Sequence, residues 1–152
     1  MKKIRRTMII GLLFVFLLGT GCGNKEAITA NEFVQKMEEN EFLVVDITDQ
    51  YDDKLLSAVQ IAYSDEYQIE FYIFNEIDQA IRDFNQNKDH FAESKVQGAI
   101  ESTVSVGNHS KYTLRSAGRY MVISRIENTF IYLNTPVDYT TEIEEILKNL
   151  GY

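Results

Sequence analysis

Residues 99–135, AIESTVSVGNHSKYTLRSAGRYMVISRIENTFIYLNT, decide the fold. Four runs rich in β-branched and aromatic residues (99–106, 112–116, 119–126 and 129–133) are separated by Gly107-Asn108, Ala117-Gly118 and Glu127-Asn128. Two-residue connections of this kind predict hairpins, and they leave no room for a crossover, so the four strands are antiparallel neighbours. A two-residue turn at Ala117-Gly118 puts Lys111, Arg115, Tyr120 and Ser124 on one strand face and turns Leu114, Met121 and Ile123 to the core.

Upstream, residues 55–63 and 68–74 form a second predicted hairpin turning at 64–66, with Ile69, Phe71 and Ile73 alternating against Gln68, Glu70 and Tyr72. Residues 42–47 predict a strand buried on at least one face. Thr29-Ala-Asn-Glu32 is a capping box, and Ile28 and Phe33 stand at the positions of a hydrophobic staple, so a helix opens at Thr29 and stops near Asn40. Asn75 is expected to cap a second helix carrying Ile77, Ile81, Phe84 and Phe91. Thr135 and Pro136 are expected to open a third, with Tyr139, Ile143, Ile146, Leu147 and Leu150 as its buried stripe. The class is α+β, an antiparallel sheet of six to seven strands in the order α-βββ-α-ββββ-α, with the three helices on one face. Residues 69–75 faintly echo residues 130–134, which raises an internal duplication of a hairpin-plus-helix unit.

The N-terminus is of another kind. Lys2, Lys3, Arg5 and Arg6 precede an apolar run from Met8 to Leu18. As a helix those residues reach about 16 Å, half of a bilayer's hydrocarbon, so an export signal is expected in place of a span. The run ends in Leu18-Gly19-Thr20-Gly21-Cys22, small residues before the sole cysteine. This resembles the bacterial lipoprotein signal, whose usual Leu three before the cysteine is Gly19 here. The resemblance implies a signal peptide over 1–21, a diacylglycerol and acyl (palmitate) anchor on Cys22, a short tether over 22–28 and one domain over 29–152. It also implies a place on the extracytoplasmic face of the cell membrane, and no catalytic residues.

A chain with 45% hydrophobic residues builds a core, and a single cysteine excludes a disulfide scaffold. The net charge of −8 speaks against nucleic acid as a partner. No Gly-x-Ser-x-Gly or phosphate-binding glycine loop occurs, and no cofactor is implied. His90, in a polar helical stretch, and His109, in a turn, read as solvated. Asp46, Asp49, Asp52 and Asp53 are the weak metal candidates, alternatively a solvated loop leaving the first strand. Residues 102–126 hold Lys111, Arg115, Arg119 and Arg125 and no acid. With Tyr120 they either receive an acidic partner or neutralise the domain's own acidic helices.

The expected function is a membrane-anchored, non-enzymatic interaction module for a protein or another envelope component. The alternatives are a metal-assisted envelope hydrolase using the four aspartates, or a small-ligand sensor accessory to a membrane protein with a pocket between helix and sheet.

Overall fold

The computed structural model describes residues 23–152, so the expected signal peptide and Cys22 lie outside the described residues. The elements are α1 (Ala30–Glu39), β1 (Leu43–Asp46), β2 (Leu56–Tyr63), β3 (Gln68–Phe74), α2 (Ile77–Glu93), β4 (Ile100–Val106), β5 (His109–Ser116), β6 (Arg119–Ile126), β7 (Thr129–Pro136) and α3 (Thr140–Leu150). The order is the predicted α-βββ-α-ββββ-α, and all seven strands join one antiparallel sheet ordered β1-β2-β3-β7-β6-β5-β4. Two meanders meet at β3 and β7, where Phe71 lies opposite Ile131. Between them α2 carries the chain from mid-sheet to the far edge. Four strand spacings are about 19 Å, and a 17-residue helix reaches about 25 Å.

The helices occupy both faces, not one. Along β6, Tyr120, Val122 and Ile126 pack under α1 and α3 with Phe33, Met37, Ile143 and Leu147, whereas Met121 and Ile123 pack under α2 with Phe84 and Phe91. A strand buried on both sides reads as a nearly continuous apolar run, and Tyr120–Ile123 is one. The same finding bears on the duplication. Antiparallel neighbours such as β3 and β7 are interchanged by a two-fold axis normal to the sheet, which would put their following helices on one face. Here α2 and α3 lie on opposite faces.

Local chemistry explains the boundaries. Thr29 and Glu32 form both halves of the capping box that opens α1, and Phe33 stacks on Phe71 with ring centroids 4.6 Å apart. Strand β1 is shorter and more exposed than predicted, because it is an edge strand whose Leu43 is 69% exposed. Asn75 does not cap α2; Glu76 stands at the cap without a side-chain bond. Ile77 and Ile81 are exposed, and α2 buries Ala80, Phe84 and Phe91. Strand β7 continues through Thr135 and Pro136, so α3 starts after a 3-10 turn at Val137–Tyr139. Thr135, expected as a cap, is a buried strand residue.

His109 is buried too, at the start of β5, with its Nε2 3.1 Å from the Ser124 hydroxyl. Burial, then the charges of Lys25, Lys111 and Arg125, push its pKa down to about 4. The fold therefore holds it neutral while the unfolded chain protonates it below about pH 6.5. This contribution to stability is complete above pH 6.5 and is lost as pH falls toward 4. Urea midpoints should decline across pH 6.5 to 4.5, before the carboxylates join in. His109→Gln, which keeps a partner for Ser124, should flatten that decline.

The β5–β6 turn supplies a second prediction. Ala117 (φ 51°) and Gly118 (φ 75°) both occupy the left-handed region, the demand of a type I′ turn. A methyl side chain is strained there, at a cost of about 1 kcal/mol. Ala117→Asn creates the favoured Asn-Gly pair and should raise stability by about 0.5–1 kcal/mol, read as a melting-temperature rise of a few degrees.

Candidate functional site

The cationic hairpin has the predicted register: Lys111 lies opposite Ser124 and Arg115 opposite Tyr120. That face is not open, because α3 covers it. Lys111 pairs with Glu144 at 3.0 Å, and the Tyr120 hydroxyl donates to the same carboxylate. The Arg115 guanidinium sits over the Tyr120 ring, 5.3 Å from its centroid. Arg119 donates to the Asn134 side chain and carbonyl, and Arg125, buried, donates to the Glu127 carbonyl. Only Arg115 and Arg119 of the five candidates are exposed. The cations serve the domain's own architecture.

The four aspartates share one open hollow but form no ligand cluster. Among the described residues no three His, Cys, Asp or Glu side chains form a group able to hold a metal. Asp46 instead accepts from the Thr48 amide and the Gln60 side-chain amide, both at 2.8 Å. The hydrogen bonds to Thr48, then that to Gln60, hold its carboxyl below the usual range. Asp52 accepts from the Lys54 amide at 3.0 Å. Asp46, Asp49, Asp52 and Asp53 line an open hollow that ends at Tyr51.

Tyr51 belongs also to a groove of about 560 Å³ on the second face, between α2 and the strands β2, β3 and β7. Its helical wall is Gln79, Asp83, Asn87 and His90, spaced four, four and three residues apart and so on one side of α2. Its floor is Glu70, Tyr72, Phe74, Phe130 and Tyr132, which β3 and β7 present on the same face because Glu70 pairs with Tyr132 and Tyr72 with Phe130. Tyr51, Leu55 and Leu56 complete the lining. Asn75 ties this side down, its side chain donating to the Asp53 carbonyl at 2.8 Å and its amide to the Leu55 carbonyl at 3.0 Å. Asn75 thus fixes the loop that carries Tyr51.

The groove is aromatic and acidic. The Tyr51 ring meets Tyr72 edge-on, with centroids 6.2 Å apart, and Tyr72 lies beside Phe130 at 6.1 Å. Glu70 accepts from the Tyr72 hydroxyl and from Gln68. Burial, then the bond to Glu70, pushes the Tyr72 phenol far above its ordinary range; burial and the charge of Glu70 raise Tyr132 as well. Both phenols remain protonated donors. Asp83 accepts from Gln79 at 2.6 Å. No lysine or arginine lines the groove. Sequence reasoning raised a pocket between helix and sheet but none of these residues, since Gln79, Asp83, Asn87 and His90 at helical spacing look like a solvated face.

The chain enters the domain at a fixed place. The Asn108 carboxamide donates to the Lys25 carbonyl and accepts from the Lys25 amide, each at 2.8 Å, and the Lys25 ammonium donates to the Gly151 carbonyl. Gly23 lies so close to Val106 that a Cβ on it would stand 2.7 Å from the valine methyl. Residues 23–25, within the expected short tether, are therefore docked on the β4–β5 turn. Among the described residues no helix is long and apolar enough to cross a membrane.

No protein-family model matches the chain, and no curated protein matches it. Among solved structures it is similar to a GTP binding regulator from Thermotoga maritima, with a TM-score of 0.46 and 13% identity over 82% of this chain and 85% of that one. A likeness of that degree transfers no ligand and no residue role.

Proposed function

We propose that this protein is a non-enzymatic binding module, held by a lipid on Cys22 at the extracytoplasmic face of the cell membrane, and that the groove between α2 and the sheet is its site. The observation that carries this reading is the groove itself. It has the size range of a small-molecule site, about 300–1,000 Å³, and sets a few convergent polar groups among aromatic walls. The basic hairpin, the partner-binding candidate read from the sequence, spends its lysine and its tyrosine on Glu144.

The anchor reading rests on the small residues before Cys22 and implies an orientation. With Lys25 clamped to Asn108, the lipid would hold the end of the domain bearing the β4–β5 turn next to the bilayer. Strands β3 and β7 run so that Phe74 and Asn128 share that end, their backbones joined at 2.9 Å. The part of the groove lined by Phe74 would therefore lie at the end of the domain nearer the bilayer.

In-cell crosslinking followed by recovery of a tagged full-length chain tests the module. One envelope component should be recovered with the anchored protein, and Cys22→Ala should shift the protein out of the membrane fraction and reduce that recovery. Tyr51→Ala, on an exposed side chain at the groove, should reduce recovery without moving the protein from the membrane. Equal recovery from all three proteins would exclude both anchor and groove.

A further inference from the structure

We propose that the groove takes a small organic cation, a protonated amine or quaternary ammonium that carries an apolar or aromatic group. The proposal rests on the groove being the binding site and names the class of its ligand. Glu70 comes to the groove from the strand wall and Asp83 from the helix wall. Neither takes part in the two ion pairs found among the described residues, Lys95–Glu101 and Lys111–Glu144. Their partners are the uncharged groups of Tyr72, Gln68 and Gln79. Two negative charges thus face the groove without a cation.

None of the neighbouring lysines and arginines lines the groove. Arg82 donates to Gln79 at 2.7 Å, Lys88 lies 5.8 Å from the Tyr112 ring centroid, and Arg125, opposite Phe130 on the same sheet face, is buried against the Glu127 carbonyl. The rings of Tyr51, Tyr72, Phe130 and Tyr132 add surfaces whose negative faces attract a cation and whose apolar area takes its organic part. The raised phenols of Tyr72 and Tyr132 contribute no charge of their own.

Each alternative ligand class meets a penalty. An anion such as a phosphate would face two like charges with no lysine or arginine in the lining. A neutral ligand of the same shape would strip water from the carboxylates and give them nothing in return. A cation removes both penalties, and a protonated amine gains charge-assisted hydrogen bonds as well. The limited volume favours a small molecule over a peptide segment.

The test is a calorimetric and NMR titration of the full chain in non-ionic detergent with four probes: phenethylamine, benzyltrimethylammonium, 3-phenylpropan-1-ol and 3-phenylpropionate. The two cations should bind and perturb signals of Tyr72, Tyr132 and α2, and the alcohol and the carboxylate should not. Glu70→Gln, which keeps an acceptor for Tyr72, and Asp83→Asn should each weaken the amine about tenfold. Thermal melts of the two variants verify that they fold. Binding of the alcohol or carboxylate as tightly as the amine overturns the cation class, as does silence from all four probes or indifference of the amine to both substitutions. A Lys-Phe-Lys-Phe peptide binding more than tenfold tighter than phenethylamine overturns the small molecule in favour of a basic segment. Crosslinked recovery of an envelope component alongside silent titrations would leave the binding module standing and remove only its ligand class; amine binding without any recovery would keep the groove and its ligand class and remove the envelope partner.

Discussion

The two-sided burial of β6 is the constraint on which the rest depends. A strand whose Tyr120, Val122 and Ile126 face one way and Met121 and Ile123 the other needs a helical layer above and below it. The chain supplies two helices to the first face and one to the second. A single helix is about 10–12 Å across, and a seven-stranded sheet is about 29 Å wide between its outer strands. Helix α2 therefore packs chiefly on β6, with smaller contacts to β3, β5 and β7, and leaves the part of the face beside it over β2, β3 and β7 only partly covered. The groove is that remainder. Within its floor Phe74 and Phe130 are buried, and Glu70, Tyr72 and Tyr132 are half-buried.

The loop before β2 keeps this remainder from being merely an open sheet face. Asn75 bonds to Asp53 and Leu55, and the Leu55 and Leu56 amides donate to the Asp52 carbonyl, so the segment that carries Tyr51 is held against the start of α2. Tyr51 then stands edge-on to Tyr72 and makes a third side. The aspartates of that segment act as turn formers: Asp46 receives the Thr48 amide, and Asp52 that of Lys54.

Much of the fold was legible because its signals are local. The capping box at Thr29, the two-residue turns after Val106, Ser116 and Ile126, and the alternation in 68–74 each depend on a few adjacent residues, and each is where it was expected. The sides taken by the helices were not legible in that way. Ile77 and Ile81 outrank Ala80 in hydrophobicity, yet Ala80 is buried and they are exposed, because close approach of α2 to the sheet selects a small residue. His109 read as a solvated turn residue; β5 begins earlier than its apolar run suggests, and pairing with Ile126 pulls the imidazole inside. The groove was least legible of all. Glu70 and Tyr72 alternate as outward residues should, and only the crossing of α2 turns that outward face into a wall.

The charge pattern has the same origin. The chain carries 15 Lys and Arg against 23 Asp and Glu, so it cannot neutralise every acid, and the fold decides which acids go without. Lys111 serves Glu144, Lys95 serves Glu101, and Arg115 lies on Tyr120. Lys111 and Arg115 are fixed by the strand period on the first face, beneath α3, while Glu70 is fixed by the same period on the second, so the sheet itself separates them. Neutralising Glu70 from within would need a lysine or arginine on the inner side of α2, at the positions of Asp83, Asn87 or His90. The helix places an acid, an amide and an imidazole there. The uncompensated charge of the groove thus follows from the pairing register of β3 and β5 together with one face of one helix, and a cation brought by a ligand meets a demand that the fold leaves unmet.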